Sequence, residues 1–208
     1  MGIRDRNIDW LRQSYVIGAE RLGFTGGSST LGAGAPPITE ISDFGYAGLL
    51  YDSSGTSDKS AAIDFQLPRV ADYEHPIGVR VLWCPVATVA TDDSITWSVT
   101  YDQCDVGEAL TTPVDGTGTE LSTAIAAQSP SATTTLALHR GNRGIIDADT
   151  FDADFRNGAI AWAVDVSARS GFSANEVSLL GLEIDYIPRL CMNPGEDQGA
   201  LNADLSGA

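Results

Sequence analysis

The sequence is poor in positive charge. One lysine is present among 12 basic residues, against 28 acidic residues and two histidines, and the formal net charge is -16. A protein that binds nucleic acid needs clustered cations to displace the counterions of the phosphates. The sequence offers no such cluster, so we expect no nucleic-acid partner. The negative charge instead favours solubility at high local concentration.

Cysteines and long apolar runs are also scarce. Cys84, Cys104 and Cys191 are odd in number and lack the C-x-x-C spacing, which argues against a disulfide framework or a zinc site and for a reducing compartment. The first residues lack the apolar segment of about 7–15 residues that a secretory signal contains. No run approaches the roughly 20 apolar residues that span a bilayer, so we expect no membrane partner.

What the sequence does contain is alternation with period two. Side chains of a strand point to opposite faces in turn, so alternating segments predict half-buried strands. Three tryptophans, Trp83, Trp97 and Trp162, fall on the predicted inward faces and are expected in the core. The pattern predicts an all-β fold, an antiparallel β-sandwich of jelly-roll type. The alternating segments are 62–67, 77–84, 95–102, 159–166 and 180–186.

The predicted organisation is one domain with two terminal extensions. Residues 1–45 are expected to form an N-terminal arm with a Gly/Ser/Pro-rich linker, 46–190 the sandwich, and 191–208 a mobile tail. Within the first 22 residues, a helical stripe and a short strand at 14–17 both remain possible. One short helix is predicted at 119–127, opened by a capping box at Thr117 and Glu120.

Candidate catalytic groups are weak. Glu183 and Asp185 lie two apart on one predicted strand, a spacing compatible with a glycosidase pair but also with the outer face of the strand. The acidic stretch 147–154 lacks the glycine and glutamate of a calcium loop, so we expect no metal there. No nucleophile has a suitable base, and no dinucleotide fingerprint is present. We therefore expect neither enzyme activity nor a cofactor.

Two regions suggest contacts with other proteins. The arm carries Ile8, Trp10, Leu11 and Tyr15, flanked by four arginines, and suits a negatively charged neighbour. A chain starting near Ile38 is expected to fold but not to attach. The second region is the glycine-rich turn 139–144, which contains Arg140 and Arg143. It is either a solvated turn or an arginine clamp on an acidic neighbour.

Several stretches resemble a group of tailed-bacteriophage virion proteins common in aquatic phages. The resembling motifs are the strand "HPIGxRVxW", the strand "TVTWxVxYD", an alanine-rich helix, an "RG" turn and a terminal "LGLEIDYxPR". In this sequence they correspond to residues 75–83, 95–102, 119–127, 143–144 and 180–189, with a looser match at 6–10.

The resemblance implies a non-enzymatic structural protein in the capsid of the virion, made in the host cytoplasm. It would act as a cement or decoration protein whose partner is the major capsid protein. The alternative is a carbohydrate- or receptor-binding β-sandwich module of a phage fibre. Because an open sandwich has edge strands that invite pairing, we also expect a homo-oligomer, a closed trimer.

Overall fold

The structure is a computed structural model, and the expected all-β sandwich is confirmed: antiparallel sheets pack on one another around one core. The jelly-roll connectivity stays a prediction. No helix in the described part of the chain is long and apolar enough to cross a membrane. The described residues are 11–22, 38–40, 47–51, 60–107, 118–130, 134–148, 150–151, 158–172 and 177–189.

The larger sheet has seven strands, and β11 is its centre. Strand β11 pairs with β5 along one side, and with β3 and β1 along the other, while β2 pairs with β3 and both β8 and β9 pair with β5. Its strands are β1 (Gln13–Gly18), β2 (Ile38–Glu40), β3 (Ala47–Tyr51), β5 (Ile77–Pro85), β8 (His139–Arg140), β9 (Gly144–Ile146) and β11 (Val177–Tyr186).

The smaller sheet has four strands in the order β4-β10-β6-β7. Two four-residue helices, α1 (Ala19–Leu22) and α2 (Leu67–Val70), follow β1 and β4. A proline in the first turn of α2 suits that position, because its missing N–H would have no partner there. The strands are β4 (Ser60–Asp64), β6 (Ser94–Cys104), β7 (Thr119–Glu120) and β10 (Ala159–Ser170).

Alternation located the core correctly in the long strands. Along β6, buried and half-buried residues alternate from Ser94 to Asp102, and the three tryptophans expected in the core are fully buried. Tyr51 packs edge-on against Trp97 at 5.3 Å between ring centroids. Aromatic side chains from both sheets therefore fill the space between them, where each buries a large apolar surface.

In the segment 62–67, the alternation predicts that Ile63, Phe65 and Leu67 face inward, and along β4 this prediction is wrong. Ala62 and Asp64 face the core, because they lie directly opposite Trp162 and Ile160 on β10 and side chains at paired positions share a face. The small Ala62 leaves room for Trp162. Phe65, which alternation placed inward, follows the end of β4 and is 56% exposed.

Part of the predicted arm belongs to the sandwich. The strand interpretation of residues 14–17 is correct: β1 pairs with β11 over six residues. Ile17, Ala19 and Leu22 are buried in the core. The sandwich therefore includes residues N-terminal to the expected boundary at 46. Only a short pattern at residues 14–17 signalled this strand, and long-range pairing with β11 decided its structure.

The helix predicted at 119–127 is not formed. Thr119 and Glu120 form β7 against β6, and residues 121–127 continue without a helix. Leu121 and Ile125 are nevertheless buried. Thr123 pairs with Ile145 through two backbone hydrogen bonds of 3.0 and 2.9 Å. A helix of nine residues is marginal by itself, so these tertiary bonds outweigh it.

Candidate functional site

Two carboxylates lie on the face of β11 that points away from the core. Glu183 and Asp185 alternate with the buried Leu182 and Ile184, so they lie on the outer face as their sequence pattern indicated. Yet each is only 7% exposed. Arginines from several other parts of the chain cover them.

Three arginines converge on Asp185. Nη1 of Arg12 and Nη1 of Arg80 donate to its two oxygens at 3.0 and 3.1 Å. Arg143 binds it with two parallel bonds, from Nε at 2.8 Å and from Nη2 at 2.7 Å. Burial would raise the pKa of Asp185, but the hydrogen bonds from Arg143 and the charges of the three arginines outweigh it and lower that pKa.

Among the described residues, Glu183 has one arginine partner. Arg140 donates from Nε at 2.6 Å and from Nη2 at 2.5 Å, the fork geometry that fits a carboxylate. The hydrogen bond to Glu183 raises the pKa of Arg140 above its ordinary value. The Arg140 side chain is still 56% exposed. It therefore reaches solvent while holding the carboxylate.

A glycine makes the arrangement possible. Arg143 lies next to β9, and it reaches Asp185 by crossing over β5 at Gly78, which pairs with Asp185 in the β5–β11 register. A Cβ atom at position 78 would overlap both the Asp185 carboxylate and Nε of Arg143. The glycine of the HPIGVRVLW strand therefore leaves the space that the ion pair occupies.

These groups line an open cavity of about 420 Å³, which we call the arginine pocket. Among the described residues that line it, four carry a guanidinium group and two carry a carboxylate, in a chain of net charge -16. The arrangement is suited to holding an anionic group. The lining residues are Arg12, Gln13, Ser14, Arg80, Arg140, Arg143, Glu183 and Asp185.

The structure places Arg140 and Arg143 in the arginine pocket, which the solvated-turn interpretation does not describe, and their contact with another protein stays a prediction. Both bind carboxylates of their own chain. Sequence reasoning missed Arg12 as a member of the site, and it missed Arg80 altogether. The signal for Arg80 was available, because it lies on the polar face of an alternating strand, as Glu183 and Asp185 do on theirs. Nothing in the sequence states that these two strands are neighbours.

The structure describes two of the other predicted contact residues, Leu11 and Tyr15. The hydroxyl of Tyr15 donates to Asp64, and its ring packs edge-on against Tyr186 at 6.0 Å. Burial, followed by the nearby charge of Asp64, raises the pKa of Tyr15. Tyr15 is thus part of the sandwich. Leu11 is half-buried, and Ile8 and Trp10 lie outside the described residues.

The remaining reactive side chains are in structural environments. Burial raises the pKa of the Cys84 thiol to about 11, which disfavours the thiolate. His139 stacks on Trp83 at 4.5 Å, and burial lowers its pKa. No group of metal-ligating side chains occurs among the described residues. Of the aspartates in 147–154, Asp149, Asp152 and Asp154 lie outside those residues.

Neither a model of a known protein family nor a curated protein matches this sequence.

Proposed function

We propose that this chain is a non-enzymatic structural protein of a tailed-phage virion, which binds the capsid shell and stabilises it as a cement or decoration protein. Its partners would be the major capsid protein and further copies of itself. Nucleic acid and membrane are not among the proposed partners.

One observation carries the proposal: three separate motifs of the resemblance meet at the arginine pocket. Gly78 and Arg80 come from the HPIGVRVLW strand, Arg143 from the RG turn, and Asp185 from the LGLEIDYIPR strand. The residues that carry the resemblance therefore cooperate in one ion-paired surface. Such a fixed, polar surface suits a protein that presents contacts to a lattice.

The glycosidase interpretation has little support. A glycosidase needs one carboxyl group that stays protonated until it donates to the leaving group, so its pKa must be raised. The pKa of Asp185 is lowered instead, and the oxygens of both carboxylates are occupied by arginine N–H groups. The pair therefore acts as an anchor for arginines.

The carbohydrate-binding alternative needs aromatic rings exposed to a sugar. Trp83, Trp97 and Trp162 are buried and cannot stack on one. Phe65 is the single aromatic among the large exposed hydrophobic residues of the described chain. An isolated phenylalanine is a poor sugar platform, so the described surface favours the capsid proposal.

Attachment to a shell does not require strong binding at each site. Contacts repeated over a lattice, or through a symmetric oligomer, act together because each bound site raises the effective concentration at the next. The high negative charge favours solubility at high local concentration. Both properties suit a protein that coats a shell in many copies.

The test uses purified protein and purified capsids that lack it. We expect the protein to sediment with the capsids and to raise the temperature at which they break open, because a ligand that binds only the intact shell stabilises it. The same protein after heat denaturation serves as the control. Binding to host cells or fibres, with none to capsids, would contradict the proposal and favour the fibre module.

A further inference from the structure

The arginine pocket retains hydrogen-bond donors that its own carboxylates do not use. A guanidinium can donate from all three of its nitrogens. Within the described part of the chain, Arg80 donates to Asp185 only from Nη1, and Arg140 donates to Glu183 from Nε and Nη2. Nε and Nη2 of Arg80 and Nη1 of Arg140 thus remain for another acceptor.

The charge around these donors favours an anion. Among the described residues that line the pocket, four carry a guanidinium group and two carry a carboxylate, and the cavity opens to solvent beside the exposed Ser14. The Arg80 side chain is only 22% exposed. Ion pairs are stronger where the charged groups are partly removed from water, and a concave site concentrates the field of its charges.

We propose that the arginine pocket binds carboxylate side chains of an acidic segment in the partner protein. This inference rests on the proposed function, in which the partner is the capsid shell, and it specifies the chemistry of that contact. The ion pairs within the chain show that these arginines bind carboxylates. Arg143 and Arg140 each donate two parallel hydrogen bonds to one carboxylate, that of Asp185 and that of Glu183 respectively.

A protein segment fits the pocket better than a nucleic acid does. The chain carries a net charge of -16, so a long polyanion would be repelled by the rest of the surface. A short acidic segment brings few charges and can place them in the cavity alone. The volume of 420 Å³ accommodates several side chains, because a water molecule occupies about 30 Å³.

Ser14 provides a variant that fills the site without removing an arginine. It lies on β1 directly opposite Asp185, and paired residues of neighbouring strands share a face. Ser14→Glu would place a carboxylate of the chain itself among the arginines. Ser14→Gln adds a side chain of the same size without charge, and Arg69→Gln removes an exposed arginine of α2 that is not among the residues lining the pocket.

The experiment measures binding of a synthetic glutamate-rich peptide to the full chain by calorimetry, with the arginine Nε–H signals followed by NMR. We expect Ser14→Glu to weaken binding by about tenfold or more, as expected for the loss of charge-assisted hydrogen bonds. Ser14→Gln should weaken it less, and Arg69→Gln should leave it unchanged. The folding of each variant is verified by its melting temperature.

Three results would overturn the inference: no binding of the peptide, equal loss of affinity in Ser14→Glu and Arg69→Gln, or binding of inorganic phosphate in place of the peptide. Capsid sedimentation separates this inference from the proposed function. If the Ser14→Glu variant binds capsids with the same affinity as the unaltered chain, the pocket is not the surface that contacts the capsid. The proposed function would still be supported. If the protein binds the peptide but does not bind capsids, the proposed function is wrong and the inference about the pocket is still supported.

Discussion

At the scale of the residue, the arginine pocket depends on one position without a side chain. Gly78 lies between the strand that supplies Asp185 and the turn that supplies Arg143, and the ion pair passes over it. The glycine allows the Asp185 carboxylate and the Arg143 guanidinium to lie close to the backbone, which a Cβ atom would prevent. The two carboxylates and their arginines thus act as one packed unit on the outer face of the sheet.

Replacing Gly78 by alanine should destabilise the protein by about 2 kcal/mol, because overpacking of this size forces side chains to move. The measurement is the free energy of unfolding in urea. The matched experiment introduces the same change into an Arg143→Ala background, where the overlap is partly relieved and the cost should be smaller. An equal cost in both backgrounds would mean that the ion pair is not what the glycine accommodates.

Asp185 should make stability depend on acidity. Its pKa is lower in the folded protein than the ordinary value of 3.8, so its contribution is present above that value and is lost as the pH falls through the folded pKa. We expect Asp185→Asn to lower the free energy of unfolding at neutral pH and to flatten its decline between about pH 5 and pH 2. The exposed Asp92→Asn should keep the original slope, and a slope unaltered in Asp185→Asn would contradict the assignment.

At the scale of the element, β1 and α1 are the largest departure from the sequence-based expectation. β1 pairs with the C-terminal half of β11, and the two elements contribute Ile17, Ala19 and Leu22 to the core. Tyr15 of β1 also donates to the buried Asp64 of β4. The first strand therefore links the two sheets of the sandwich.

Removal of residues 1–37 should prevent stable folding, contrary to the expectation drawn from the sequence. Loss of Ile17 and Leu22 alone gives up about 3–6 kcal/mol of apolar burial, a large part of the stability of a typical domain. Circular dichroism and size-exclusion chromatography provide the test. A chain that starts at Leu11 is the control and should fold, whereas a monomeric, cooperatively melting chain that starts at Ile38 would show β1 to be dispensable.

At the scale of the whole molecule, some of the described strands pair with another strand on one side only. Val16 on β1 is 50% exposed, and β4 and β7 stand at the ends of the smaller sheet. Edge strands pair readily with other chains unless they are covered. Closed cyclic symmetry covers them without producing open-ended fibres.

We predict a homotrimer in solution. Light scattering coupled to size-exclusion chromatography should give a mass three times the 21.9 kDa of one chain. Dilution should shift the mass towards the monomer, since subunit association depends on concentration. A mass of 21.9 kDa at every concentration tested would contradict closure into a trimer.

The sequence by itself determined the fold class and most of the core. Period-two alternation is a local property of a strand with one buried face, so β5, β6, β10 and β11 and their tryptophans were predictable from their own residues. The sequence also singled out Arg140 and Arg143, which the structure places in the arginine pocket.

Only the tertiary structure decided which segments are neighbours. The core face of β4 follows from its register with β10, and the extended course of 121–127 follows from pairing with Ile145. The arginine pocket brings together groups up to 173 residues apart, from Arg12 to Asp185. Such contacts depend on which strands are neighbours in the sheet. Because the strands of a sandwich share the same alternating pattern, that pattern does not identify the neighbours of a given strand. Local periodicity therefore fixed the faces of the long strands, and strand order built the pocket.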